Sequence, residues 1–292
     1  MGTVVEYTLI ASSPEAAQTA MAAAHEEMLR VARLLWEEDS LSQIYAFNHA
    51  RGRIQLDPET HEFLKRTYAY YTASQGAFDI TIKPLLDLYD FDADAPTPPS
   101  ASALGERLAY VGMDNLRFTP PSFVEKTASD SMALTVGGVA KGYAVDRAAA
   151  VLRAAGIKHA IVNAGGDLYC LGVNRGRPWV VGIRHPDDPS AVLDTVLVSN
   201  QAIATSGDYQ RYFTYDGTRY HHLLEPTTGR PARRSRSATV IAPTAEQADA
   251  LATALFTAGK DPGLALIDSL PGVEAMVVDS TGMRYGSQGW KR

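Results

Sequence analysis

The sequence predicts an α+β fold. Strand-like and helix-like segments follow one another without the regular alternation of a doubly wound parallel sheet. No stretch repeats at a period of roughly 20–50 residues, which excludes solenoids and propellers. The 292 residues are 46% hydrophobic and 21% charged, a globular profile that buries a large core in one domain or two.

Thr3 to Ala11 alternates Val5, Tyr7 and Leu9 with polar or small neighbours, which predicts a strand. Ser12-Ser13-Pro14 supplies hydroxyl caps and a proline for the first turn of a helix running to about Trp36. Asp39 to Asn48 reads as polar and irregular, and a second helix covers Pro58 to Ser74, stopping before Gly76. Residues 91–102 (FDADAPTPPSAS) predict an exposed loop, and Leu108 to Val124 short strands. Leu134 to Gly156 reads as a glycine turn leading into a helix with Gly156 at its end. A buried strand at 160–162 closes on Asn163-Ala164-Gly165-Gly166-Asp167, and strands follow at 178–184 and 192–198. Thr205-Ser206-Gly207 and His221 to Gly229 read as loops. After a strand at 239–242, Thr244 caps a helix with Gln247 three residues on, and Gly259 ends it. A last strand covers 276–278.

Composition excludes several functions. With 27 basic and 33 acidic residues the net charge is -6, so a nucleic-acid partner is not expected. The single cysteine, Cys170, permits neither an intramolecular disulfide nor a cysteine zinc cluster, and reads as a core thiol. No apolar run approaches the roughly 18 residues of a membrane span. Met1 to Glu6 shows no basic region followed by an apolar one, so the chain as given is expected in the cytosol, or in the periplasm or lipid-anchored if a signal segment precedes it.

Three constellations suit chemistry. Asp249 and Thr253 lie four apart on a helix and share a face. Their hard oxygens suit Mg²⁺ better than zinc, although spacing alone favours a surface Asp and a core-facing Thr. Thr135-Val136-Gly137-Gly138-Val139-Ala140-Lys141 places paired glycines and a lysine at a helix start, where free N–H groups favour anions; a plain turn with a surface lysine looks the same. In Tyr220-His221-His222-Leu223 adjacent histidines point to opposite faces of an extended segment, so one of them is either a general base or a hydrogen-bonded loop residue. Arg230, Arg233, Arg234 and Arg236 form a solvated basic run able to touch a pyrophosphate or an acidic partner, and Tyr209, Tyr212, Phe213 and Tyr215 read as strand packing.

Six stretches taken in order resemble the ApbE family of FAD:protein FMN transferases: Gly76 to Thr81 (GAFDIT) with Pro84-Leu85, Gly137 to Asp146 (GGVAKGYAVD), Asn163 to Asp167 (NAGGD), Thr205-Ser206-Gly207, His222 to Gly229 (HLLEPTTG) and Ala248 to Gly259 (ADALATALFTAG). The resemblance implies one compact α+β unit over 1–292, of two lobes with a nucleotide cleft between them. It also implies Mg²⁺-dependent transfer of the FMN moiety of FAD onto a Thr or Ser hydroxyl of an acceptor flavoprotein, with release of AMP. Under it, Gly138 (by its carbonyl), Asp249 and Thr253 are metal ligands. Met1, Trp36, Ala77, Phe78, Asp79, Thr135, Lys141 and Leu223 fall at FAD-contacting positions, and His222 is the base for the acceptor hydroxyl. Thr135 stands where the family usually has Asp, and Glu225 where Asp is usual. The alternatives are a Mg²⁺-dependent FAD pyrophosphatase, in which water replaces the acceptor, and a non-catalytic FAD-binding protein.

Overall fold

The computed structural model describes residues 3–188 and 190–290. Its strands are β1 (Val5–Ile10), β2 (Arg53–Gln55), β3 (Leu116–Thr119), β4 (Phe123–Lys126), β5 (His159–Ala164), β6 (Asp167–Leu171), β7 (Trp179–Arg184), β8 (Val192–Val198), β9 (Gln201–Gly207), β10 (Tyr212–Tyr215), β11 (Thr218–His221), β12 (Ser235–Ala242), β13 (Glu274–Asp279) and β14 (Arg284–Gly286). Its helices are α1 (Pro14–Leu35), α2 (Gln43–His49), α3 (Pro58–Ala73), α4 (Lys83–Leu86), α5 (Ala101–Leu108), α6 (Ala140–Ala154), α7 (Ala245–Ala258) and α8 (Lys260–Asp268).

Seven strands form one antiparallel sheet in the order β1-β5-β6-β9-β12-β13-β14, beside smaller sheets β2-β4-β3, β7-β8 and β10-β11. The α+β class is therefore as the sequence predicts. Alternation along the central strands divides two cores. Leu168, Cys170, Ile203, Ile241 and Met276 face the β7–β8 hairpin and its Trp179, Ile183, Val196 and Val198. Tyr169, Leu171, Ala202, Ala204, Ala238, Val240, Ala275 and Val277 belong to the core shared with α1, α6 and α7. Because both faces are covered, these strands are apolar at nearly every position instead of alternating. Cys170 is fully buried, and burial pushes its thiol up to about 12. A third core gathers Leu85, Tyr89, Leu104, Phe213 and Leu224.

Helix ends follow their local chemistry. Ser13 Oγ accepts from Ala16 N (3.2 Å) and Thr244 Oγ1 from Gln247 N (3.2 Å). The first turn of α7 is also capped from outside: Asp146 of α6 accepts from Ala245 N (2.7 Å) and Glu246 N (2.8 Å). Ala245, Ala248, Ala250, Ala252 and Ala254 of α7 are buried where it packs on β9, β12 and α6, and α6 crosses it closely at Gly142. A Cβ on Gly142 would stand 2.1 Å from the carbonyl oxygen of Ala245. Gly142→Ala is therefore expected to destabilise the fold by about 1–3 kcal/mol, lowering the melting temperature by roughly 2–10 °C. A thermal melt checks this, and an unchanged midpoint contradicts it.

The structure departs from the sequence reading in several places. Residues 43–49 are helical: Ser42 Oγ accepts from Tyr45 N (3.0 Å), and Ile44 and Phe47 are buried three apart. The loop before residue 102 ends earlier, because Ser100 caps α5 through Ala103 N (3.1 Å). Thr205-Ser206-Gly207 is the end of strand β9, not a loop. Tyr212 to His221 is a hairpin turning on Asp216 and Gly217, both at positive φ, the backbone a two-residue turn requires. Helix α8 and strand β14 lie beyond any segment the sequence predicted. Among the described residues no helix is long and apolar enough to cross a membrane.

Candidate active site

One cavity of about 980 Å³ collects residues from all six of the ordered stretches quoted above. Its walls are the segment 77–80, the glycine turn and first turn of α6, the β5–β6 turn, the end of β9, one face of α7, the β7 strand and the segment 222–224. The β5–β6 turn is tight because Gly165 and Gly166 both take positive φ (64° and 102°), and a Cβ on Gly165 would meet Thr3 Oγ1 at 2.2 Å.

Oxygen atoms converge at the floor. Asp249, 3% exposed on α7, is no surface carboxylate: its Oδ2 accepts from Gly142 N at 3.1 Å. One turn on, Thr253 Oγ1 lies 3.2 Å from Ser206 Oγ. Gly138 faces it so closely that a Cβ there would stand 3.0 Å from Thr253 Oγ1. Lys141 Nζ bridges the group, 2.8 Å from Asp167 Oδ2, 3.4 Å from Asp249 and 3.1 Å from the Gly137 carbonyl. Burial pulls the Lys141 ammonium down, but the two carboxylates outweigh it and hold it above its ordinary value. Burial and then the charge of Asp167 push the Asp249 carboxyl up to about 7. Two buried carboxylates thus share one ammonium and leave negative charge in excess beside a hydroxyl and a backbone turn. That donor set, all oxygen and under-neutralised, fits a hard divalent cation. Among the described residues no three His, Cys, Asp or Glu side chains converge to hold a metal, so a cation here needs the hydroxyl and a carbonyl as well.

The two histidines part as extended neighbours do. His221, 4% exposed, packs edge-on against Phe256. His222 lines the cavity, and its Nδ1 donates to the Arg211 carbonyl at 3.1 Å. A carbonyl only accepts, so Nδ1 carries the proton and Nε2 keeps its lone pair. Burial pushes the His222 imidazolium down to about 4 against the opposing Arg211 carbonyl, with the charges of Lys141 and Arg211 adding to the depression.

Ala77, Phe78, Asp79, Thr135, Lys141 and Leu223 all line the same cavity as His222, Gly138, Asp249 and Thr253. Asp79 lines it with its carboxylate already engaged: Oδ1 accepts from Thr81 N (2.7 Å) and Thr81 Oγ1 (2.6 Å), and burial pushes it up to about 6. Trp36 stands apart, 48% exposed on an adjoining cavity of about 610 Å³ that shares Thr3, Thr135, Gly137, Lys141 and Arg211 with the first. Met1 lies outside the described residues. The run Arg230, Arg233, Arg234 and Arg236 does not line the cavity: Arg230, Arg233 and Arg234 are exposed, Arg236 pairs with Asp208 and Asp187, and Arg233 and Arg234 donate to backbone carbonyls. Arg184 and Arg211 line the cavity instead.

Sequence reasoning missed three residues of the site. Asp167 carries a signal in closing the Asn-Ala-Gly-Gly-Asp turn, and Ser206 in its place within Thr-Ser-Gly. Glu37 has none: only the fold brings it to within 3.1 Å of Val136 N, beside Thr135.

A sequence profile of the ApbE family matches residues 1–277. A protein of Vibrio cholerae named FAD:protein FMN transferase is 34% identical over 243 residues, 81% of this chain and 72% of that protein. Among solved structures, the ApbE protein of Thermotoga maritima is similar at a TM-score of 0.90 and 35% identity, over 98% of this chain and 94% of that one. A Vibrio cholerae structure described as flavin transferase ApbE has a TM-score of 0.86 at 29% identity, over 99% and 94%. The likeness runs through sequence and fold together and takes in every wall of the cavity: this chain belongs to the ApbE family.

Proposed function

We propose that the chain, read as one functional unit over 1–292, transfers the FMN moiety of FAD to a Thr or Ser hydroxyl of an acceptor flavoprotein and releases AMP, with Mg²⁺ as its metal. The observation that carries this reading is the placement of a neutral histidine and an under-neutralised oxygen cluster on one cavity, in a chain whose relatives are named for that reaction.

Gly138 (through its carbonyl), Asp249 and Thr253 would hold the ion. When bound, Mg²⁺ would supply charge neutralisation to a diphosphate. The chain's own residues do the rest. Lys141 holds a positive charge at the start of α6, beside N–H groups suited to phosphate oxygens. Ala77, Phe78, Asp79, Thr135 and Leu223 form the wall on which FAD lies, with Trp36 at its margin. His222 Nε2 takes the proton of the acceptor hydroxyl as its oxygen bonds to the FMN phosphorus. The phosphoanhydride P–O bond breaks, and AMP departs with that bond pair. The hydrogen bond from Nδ1 to Arg211 fixes the tautomer that makes this possible.

Incubation with FAD, Mg²⁺ and an FMN-binding acceptor domain, followed by a denaturing gel, tests the reading. A fluorescent acceptor band that requires Mg²⁺ is the expected result. Steady AMP release without any acceptor identifies the pyrophosphatase instead, and bound FAD that stays intact identifies a binding protein.

A further inference from the structure

Glu37 follows the last residues of α1, next to Trp36, and lines the second cavity. Its Oε2 accepts from Val136 N at 3.1 Å, the Thr135 hydroxyl faces it, and Lys83 Nζ stands 3.6 Å from Oε1. That lysine is divided: Asp87 lies nearer, at 3.0 Å, and Glu38 at 3.5 Å. A carboxylate offers about four acceptor positions, so Glu37 retains accepting capacity. Its side chain is 18% exposed and opens onto the 610 Å³ cavity, whose other walls include Val31, Leu35 and the exposed Trp36. An aromatic platform takes any base, because every base has a π-face. A half-buried acceptor beside it discriminates.

We propose that Glu37 is a specificity-determining residue for the nucleotide substrate: its carboxylate accepts a hydrogen bond from the exocyclic amino group of the purine at the AMP end of the dinucleotide, with the ring resting on Trp36. The proposal rests on the functional reading above. A 6-oxo purine in the same pose turns a lone pair toward the carboxylate and leaves the half-buried acceptor unpaired, the situation in which sites reject an analogue most strongly. The Glu37 carboxyl also faces Thr135, the position where a neutral hydroxyl replaces the family's usual Asp.

Glu37 also supports Val136, so the test must separate support from recognition. Glu37→Gln keeps the volume and one acceptor oxygen for Val136 N, and presents an amide donor elsewhere. Dissociation constants for FAD and flavin hypoxanthine dinucleotide, from titrations of flavin fluorescence, are compared for wild type and E37Q. The wild type is expected to bind FAD about 10- to 100-fold tighter, the range of a hydrogen bond to a charged group. E37Q is expected to close most of that gap, because its amide donates to the 6-oxo group. Equal binding of both dinucleotides by the wild type overturns the proposal, and so does an equal loss for both in E37Q, which marks a purely structural role. Failure of the wild type to bind either dinucleotide overturns the functional reading, and this proposal with it.

Discussion

Asp249→Ala is expected to fold and to lose metal-dependent transfer by about 10³-fold or more. Asp249 supplies the only carboxylate among the three proposed ligands, and a bound cation contributes several kcal/mol of charge stabilisation, at about 1.4 kcal/mol for each factor of ten. Stability is expected to move the other way. In the metal-free protein burial and the charge of Asp167 raise this carboxyl from 3.8 to about 7. A raised carboxyl adds stability below the unfolded value and loses it as pH rises through the folded one, so between about pH 4 and 7 the ionised group becomes a burden. Asp249→Asn, which keeps an acceptor for Gly142 N, is therefore expected to melt at or above the wild-type temperature at pH 8 while remaining inactive. Turnover assays beside thermal melts check both. Full activity in Asp249→Ala removes the ligand assignment, and a collapsed melting temperature in Asp249→Asn removes the account of its charge.

His222→Ala is expected to slow transfer by about 10²–10⁴-fold, the range for loss of a general base, and to leave FAD binding intact. The residue lines the cavity beside the proposed ligands and is none of them. Its pH signature follows from its environment. A base works unprotonated, and this imidazole is held down to about 4, so activity is present above that pH and lost below it. At saturating Mg²⁺, which keeps the Asp249 carboxylate ionised, the acid limb of kcat/KM is expected near 4, well under the 6.5 of a free imidazole, and is absent in the variant. An acid limb at 6.5, or loss of FAD binding in His222→Ala, assigns the residue a different role.

Local chemistry made the helix boundaries readable in the sequence. Ser13-Pro14 and Thr244 cap as their residue types require, and Gly156 and Gly259 follow the helices they end. What escaped depends on pairing at a distance. The strand β9 is covered on both faces, so Thr205-Ser206-Gly207 carries no alternation to mark it. Helix α2 is too short for its two buried residues to stand out as a period. The carboxylate of Asp146 caps a helix 99 residues away, and no local pattern announces that. The same holds in the site. Asp249 and Thr253 share a face as their spacing predicts, but that Asp249 is buried with Lys141 and Asp167 is a product of the sheet bringing β6 under α6 and α7. Glu37 belongs with these: the backbone N–H it accepts from, that of Val136, lies 99 residues on.

The central claim is that a divalent cation held by Gly138, Asp249 and Thr253 meets the diphosphate of FAD in this cavity. Anomalous diffraction from crystals soaked with Mn²⁺ and FAD tests it most directly. The account predicts a manganese peak among the Gly138 carbonyl, the Asp249 carboxylate and Thr253 Oγ1, in contact with phosphate oxygens and facing His222. A peak elsewhere, or a diphosphate lying away from α7 with these three residues unligated, would contradict it.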